Sequence, residues 1–223
     1  GERRRFGYRR LGILLDREGL SANHKKIYRI YAEEGLAVKR RRGRKRATGT
    51  RSPMLLPEQA NERWSLDFVH DQLAMGKKLR ILTVVDTHSR FCPVVDPRFS
   101  YRGEDVVQTL EEVCGRIGYP NTIRVDNGSE FISRDLDLWA YANDVTLDFS
   151  RPGKPTDNGF IEAFNSKLRS ECLNAHWFMS LADAREKLEG WRRHYNEDRP
   201  HSAIGYNVPI AMHYPDGVTS PSS

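Results

Sequence analysis

Three β-rich runs stand close together at residues 63–70 (RWSLDFVH), 78–86 (KLRILTVVD) and 90–96 (RFCPVVD), separated only by polar or glycine-containing turns. That pattern predicts an antiparallel meander. The period then changes. Residues 103–118 set Val106, Val107, Leu110, Val113 and Ile117 on one helical face, followed by a strand at 121–126, a helix around 134–143, a strand at 145–150 and a long helix from near 157. The order βββαβαβα predicts an α/β fold, a mixed sheet flanked by helices. A last amphipathic helix is expected over 181–195, and the tail 215–223 is read as disordered.

Ahead of that body lies a segment of opposite charge. Residues 1–51 carry 17 Lys and Arg against 5 Asp and Glu, whereas residues 52–223 carry 19 against 25. Such a split joins a basic module suited to a polyanion to an acidic body. Leu11, Leu14 and Leu15 recur at helical spacing over 8–18. A second helix, from about Asn23 to Glu34, is expected to turn Ile27, Ile30 and Tyr31 inward, with Ser21 or Asn23 as N-cap and Gly35 as stop. Two short amphipathic helices with a glycine turn between them fit a helix-turn-helix, and equally any small helical hairpin. Charge favours the former: Arg9, Arg10, Lys25, Lys26 and Arg29 point outward, and Lys39, Arg40, Arg41, Arg42, Arg44, Lys45 and Arg46 follow in KRRRGRKR. That run is disordered in the free chain by composition and holds nucleic acid without reading its sequence. If about six of these cations meet phosphates, the logarithmic salt slope of DNA binding is near −5.

Cys92, Cys114 and Cys172 form no metal or redox spacing, which suits a reducing cytosol and implies no disulfide framework. No stretch approaches transmembrane length, and LGILL at 11–15 is too short for a signal peptide. The opening Gly-Glu reads as the start of a fragment or tagged product.

The triplet Asp-Asn-Gly occurs twice, in RVDNGSEF at 124–131 and in DNGFIEAF at 157–164. Asn-Gly is a strong turn signal, so two tight turns would account for both. Their settings differ, however. Asp126 closes a strand, where Asn127 and Gly128 let the chain leave the sheet. Pro155, Thr156 and Asp157 supply start and cap signals for a helix that carries Phe160, Ile161, Phe164, Leu168 and Cys172 on its buried side. Glu162 falls on the other face of that helix, with Asn158, Asn165, Ser166 and Arg169 as neighbours.

A third acid, Asp67, interrupts the most apolar strand, where an unpaired carboxylate is costly to bury. Three carboxylates converging at one sheet edge repel one another unless a divalent cation neutralises them. Oxygen-only ligands select Mg²⁺ or Mn²⁺ over zinc, and two such ions roughly 3.5–4 Å apart serve phosphodiester chemistry. Taken singly, Asp67 is equally a satisfied strand residue, Asp126 a turn former and Glu162 an ordinary surface acid. Asp86, Asp96 and Glu130 are rival acids, with Asp86 in VVDTHSR most simply a turn residue.

In combination, Asp67, Asp126 and Glu162, with 35 residues between the last two, resemble the acidic triad of retroviral integrases and related transposases. The words WSLDFV, VVDTHSR, VDNGSEF, GKPTDNGFIEAFNSKLRSECL and WRRHYNEDRPHSAIG are more similar still to the OrfB catalytic portion of the insertion-sequence-three family of bacterial transposases. Residues 4–41 resemble the helix-turn-helix that precedes it there, so the resemblance spans roughly 4–211.

That resemblance implies an RNase H-like core, a mixed five-stranded sheet flanked by helices, behind a small helix-turn-helix module. The expected division is 1–38 for the DNA-binding module, 39–60 for a basic linker and 61–214 for the catalytic domain. It also implies DNA cleavage and 3′-hydroxyl strand transfer at the ends of an insertion sequence, with Asp67, Asp126 and Glu162 holding two Mg²⁺ ions for which Mn²⁺ can substitute. Arg169 matches a basic position that touches DNA near the active site. Lys167, Asn127 and Asn158 join Lys25, Lys26, Arg29 and the cationic run as expected DNA contacts. The expected partners are double-stranded terminal repeats and target DNA together with further copies of the chain, in the nucleoid-associated cytoplasm of a bacterium and away from membranes. His201 in RPHSAIG carries no derivable role beyond packing or capping. The alternatives are an RNase H-type nuclease without strand transfer and a non-catalytic DNA-binding regulator. Two departures stand out: no His-His-Cys-Cys zinc module precedes the triad, and the region matching OrfA is missing.

Overall fold

A computed structural model of the chain describes residues 6–36, 57–151 and 158–215. The cationic run 39–46 and most of the expected linker 39–60, the capping residues 155–157 and most of the tail lie outside the described residues. By internal contacts the chain divides into two units, one holding the N-terminal helices together with Pro200–Tyr206, the other holding 57–199 and 207–215.

The first unit contains α1 (Tyr8–Arg17) and α2 (His24–Glu33). Asn23 is the N-cap of α2, its side chain accepting the Lys25 N–H at 2.9 Å. Ile27 and Tyr31, four apart on α2, are buried with Leu14 and Phe6. The helices approach so closely that a Cβ on Gly12 would sit 3.1 Å from Ile27 Cδ1. Two expectations need correction. Ile30 is 43% exposed, because a two-helix hairpin covers only one stripe of α2. Arg10 is half-buried, with its guanidinium 4.7 Å from the Phe6 ring centre. In Pro200–Tyr206, His201 is buried, and its carbonyl accepts the N–H groups of Ile204 and Tyr206.

The second unit is built on β1 (Arg63–Gln72), β2 (Lys78–Asp86), β3 (Val94–Arg98), β4 (Thr122–Val125) and β5 (Thr146–Phe149), in the spatial order β3-β2-β1-β4-β5. The β1–β2 and β2–β3 pairs are antiparallel, and the β1–β4 and β4–β5 pairs parallel. This is the mixed five-stranded sheet that the resemblance implies. Helices α3 (Gly103–Ile117) and α4 (Arg134–Ala142) cover one face, and α5 (Gly159–Glu171) and α6 (Leu181–Glu197) the other; a short α7 (Pro209–His213) follows.

Strand alternation sorts the core into two layers. Trp64, Leu66, Leu82, Val84, Ile123 and Val125 are buried with α3 and α4. Val69, Leu79, Ile81 and Val85 are buried with Ile161, Phe164 and Leu168 of α5 and with Leu188 and Trp191 of α6. Asp67 shares the parity of Val69 and so faces α5. The third strand begins at Val94 and not at 90. Before it, Phe91 O accepts the Asp86 N–H, Cys92 N donates to the Asn196 side chain, and Pro93 has no N–H for a ladder. Among the described residues, no helix is long and apolar enough to cross a membrane.

Candidate functional site

Register brings the two aspartates together. Ser65 pairs with Arg124 across the parallel β1–β4 ladder, and two residues further on, on the α5 side, come Asp67 and Asp126. Asp126 lies one residue beyond β4, exposed, with Oδ1 accepting the Gly128 N–H at 2.9 Å. From above the sheet, α5 contributes Glu162 in its first turn, exposed because Ile161, Phe164 and Leu168 hold the opposite side of the helix in the core.

Asp67 is the most enclosed of the three. Its Oδ1 accepts the Phe68 N–H at 2.7 Å, and its Oδ2 accepts Nδ2 of Asn165 at 2.8 Å. Thr83, its cross-strand partner, sets a hydroxyl 2.9 Å from Asn165 Oδ1 and 3.0 Å from the Asp67 carbonyl. Burial pushes the Asp67 carboxyl up to about 6, and the charges of Asp126 and Glu162 push the same way, against the Phe68 and Asn165 hydrogen bonds. Asp126 and Glu162 are therefore each near enough for their charges to act on Asp67.

Their chemistry suits a divalent cation: three hard oxygen donors, one of them half-buried and raised in pKa by that burial and, less, by its neighbours. Among the described residues, no three His, Cys, Asp or Glu side chains already enclose an ion position. Asp67 and Asp126 instead turn oxygens onto nearby N–H groups.

The rival acids are committed elsewhere. Asp86 is fully buried, accepting from the backbones of Asn61, His88 and Ser89 and from the Ser89 hydroxyl. Asp96 is held by Arg98 and Tyr101, and Glu130 pairs with Arg80.

The expected DNA contacts are scattered. Arg169 is exposed on α5, its guanidinium 3.4 Å from the carbonyl of His70, three residues after Asp67 on β1. Lys167 reaches back to Ala163 O at 3.2 Å. Asn127 is exposed and donates to Ser150 O at 3.0 Å. Asn158 differs from expectation in being buried, at the N-cap of α5, with its Oδ1 unpartnered among the described residues. Lys25, Lys26 and Arg29 are exposed on α2, where Arg29 lies 3.6 Å from Glu33. Sequence reasoning missed Asn165 and Thr83 as partners of Asp67. Asn165 was visible as a neighbour of Glu162 on the helix, whereas Thr83 depends on strand register.

Residues 57–155 and 143–209 each match a family described as an integrase core domain, and residues 1–44 match an HTH-like domain. The chain is 51% identical over 208 residues to an uncharacterized 31.7 kDa protein of insertion element IS407 from Burkholderia multivorans, covering 93% of this chain and 75% of that one. It is 26% identical over 210 residues to the putative transposase InsK of insertion sequence element IS150 from Escherichia coli, covering 88% and 73%. The catalytic core domain of HTLV-2 integrase in complex with magnesium superposes with a TM-score of 0.57 at 17% identity, covering 70% of this chain and 98% of that one. The fold of the second unit is RNase H-like.

Proposed function

The chain belongs to the insertion-element transposases that carry an integrase core, the insertion-sequence-three type, and on that premise we propose that it cuts and joins DNA at the ends of its element with Asp67, Asp126 and Glu162 as catalytic residues. The observation that carries this reading is electrostatic: Asp67, on a central strand, feels the charges of both other acids, although the three lie on β1, after β4 and on α5.

The three acids would hold divalent cations, two Mg²⁺ or, in substitution, Mn²⁺, which supply charge neutralisation and polarisation at a phosphodiester. Asn165 and Thr83 keep Asp67 turned toward α5. The Gly128 N–H orients Asp126, and Glu162 is free to swing because its helix is anchored through the other face. Water would first cleave a strand at the element end, and the freed 3′-hydroxyl would then attack a second phosphodiester in line. Arg169, exposed about two turns along α5 from Glu162, suits a DNA phosphate, while Lys25, Lys26 and Arg29 suit phosphates along a duplex. We assign residues 1–38 to DNA binding, 39–60 to a basic linker and 61–214 to catalysis, with double-stranded terminal repeats, target DNA and further copies of this chain as partners.

Labelled terminal-repeat DNA incubated with the chain and Mg²⁺ tests the reading. Both cut and joined strands are expected, and both are expected to vanish with Asp126→Asn or with EDTA. Cutting without joining would favour an RNase H-type nuclease. DNA binding without cutting would favour a regulator.

A further inference from the structure

The loop that carries Asp126 is fastened to the strands that carry Asp67, and the fastening is not part of the acidic trio. After β4 the chain turns through Asp126–Ile132, with the N–H groups of Phe131 and Ile132 both donating to Gly128 O at 3.0 Å. Phe131 is buried and stacks on Phe68, the neighbour of Asp67, with ring centres 5.1 Å apart. Beside it, Glu130 forms an ion pair with Arg80 of β2, both side chains less than a quarter exposed. The Arg80 guanidinium also lies 4.4 Å from the Phe68 ring centre, while its Nε is buried without a hydrogen-bond partner. Phe68 is thus touched by both the loop and the strand cation.

The loop has little slack. A Cβ on Gly128 would lie 2.9 Å from Asp126 Oδ1 and 3.3 Å from Glu130 Oε2, so the acid and the ion pair close on the glycine from both sides. Before any cation arrives, like charge drives Asp126 away from Asp67, and the partial burial of Asp67 weakens solvent screening of that force.

We propose that the Arg80–Glu130 ion pair is a latch that holds the Asp126 loop against the repulsion of Asp67, which makes Arg80 and Glu130 positioning residues of the site. The proposal rests on the reading of Asp126 as a ligand, but the latch itself is a property of the metal-free chain. Arg80 holds the pair on a strand of the sheet, Glu130 carries it to the loop, and the Phe68 ring supports the cation from below. The latch lowers the reorganisation that cation binding demands.

The test uses the full chain without DNA. In Glu130→Gln, hydrogen exchange of the amides at Gly128, Phe131 and Ile132 is expected to quicken about tenfold through local opening, with exchange in β1 and α3 unchanged. Calorimetric Mn²⁺ affinity is expected to fall roughly tenfold, as for the loss of a group that orients a ligand. Arg80→Met, which keeps a stem on Phe68, is expected to match it, and the double variant to add little. If Arg80→Met fails to fold, Glu130→Gln decides. Unchanged loop exchange, or unchanged Mn²⁺ affinity, in a folded Glu130→Gln would overturn the latch. Mn²⁺ affinity that survives Asp126→Asn would instead overturn the ligand assignment and leave the exchange result standing.

Discussion

Nδ2 of Asn165 donates to Oδ2 of Asp67 over 2.8 Å, although the two residues lie 98 positions apart in the chain. Asn165 sits one turn after Glu162 on α5, so one helix both offers an acid and steadies the acid opposite. Asn165→Ala is expected to lower strand-cleavage turnover by roughly ten- to a hundredfold while leaving DNA affinity within about twofold, the pattern for loss of a ligand-orienting partner. Thr83→Val, which removes the hydroxyl that holds the amide, is expected to act in the same direction and more weakly. Single-turnover cleavage alongside a DNA titration reads both.

Asp67 gives the site a pH signature. Its folded carboxyl titrates at about 6, above the usual 3.8, so the folded chain holds that proton more tightly than the unfolded one. The contribution of Asp67 to folding is therefore fully present below about pH 4 and lost as pH rises through 6, on the order of 3 kcal/mol. Metal-free Asp67→Asn is expected to melt a few degrees above the parent at pH 8 and level with it at pH 4. Mg²⁺ is expected to raise the melting temperature of the parent at pH 8 and not that of the variant. A variant no more stable than the parent at pH 8 would contradict this account.

Gly128→Ala tests close packing around Asp126. The new methyl meets Asp126 Oδ1 at 2.9 Å, inside any ordinary contact, so the carboxylate must turn away. Cleavage is expected to fall at least about tenfold with a loss of stability of roughly 1–3 kcal/mol, the usual cost of local overpacking. Comparing urea midpoints with cleavage rates separates the two effects.

The exposed cations of α2 are expected to act through salt. Replacing Lys25, Lys26 and Arg29 together by Ala should flatten the logarithmic salt dependence of DNA binding by about 0.9 for each phosphate that is no longer neutralised. Cleavage of DNA held at saturating concentration should persist. A slope equal to the parent's would remove these residues from the interface.

One buried ion pair bears on stability alone. Arg199, 2% exposed, meets Glu171 through Nε at 2.9 Å and Nη2 at 2.5 Å, joining the end of α5 to the segment after α6. Glu171→Ala takes the carboxylate away from a buried guanidinium and is expected to cost about 3–5 kcal/mol. Chemical denaturation checks it.

Much of this was legible along the chain because the signals are local. A carboxylate inside WSLDFV, a turn closing TIRV and an acid opposite an apolar helical stripe each announce themselves within a few residues. Helices α1 to α6 and four of the five strands appear close to their expected bounds for the same reason, whereas α7 was not expected. What could not be read depends on partners far away in sequence. Thr83 faces Asn165 only through the β1–β2 register and the docking of α5. The start of β3 moved because Cys92 bonds to Asn196, a hundred and four positions on. Ile30 looked like core because helical spacing does not say how wide a stripe the neighbouring helix will cover. Glu130 was noted only as a rival acid, since nothing near it in sequence names Arg80.

The placement of β1 has a consequence for the timing of synthesis. Its antiparallel partner follows at once, whereas β4 and α5, which complete the acidic trio, emerge only after another helix has been made. A ribosome-bound chain that has produced only β1 and β2 carries Asp67 and still lacks Asp126 and Glu162. On the proposed reading, chain order thus keeps the three acids from meeting in any product that ends before α5.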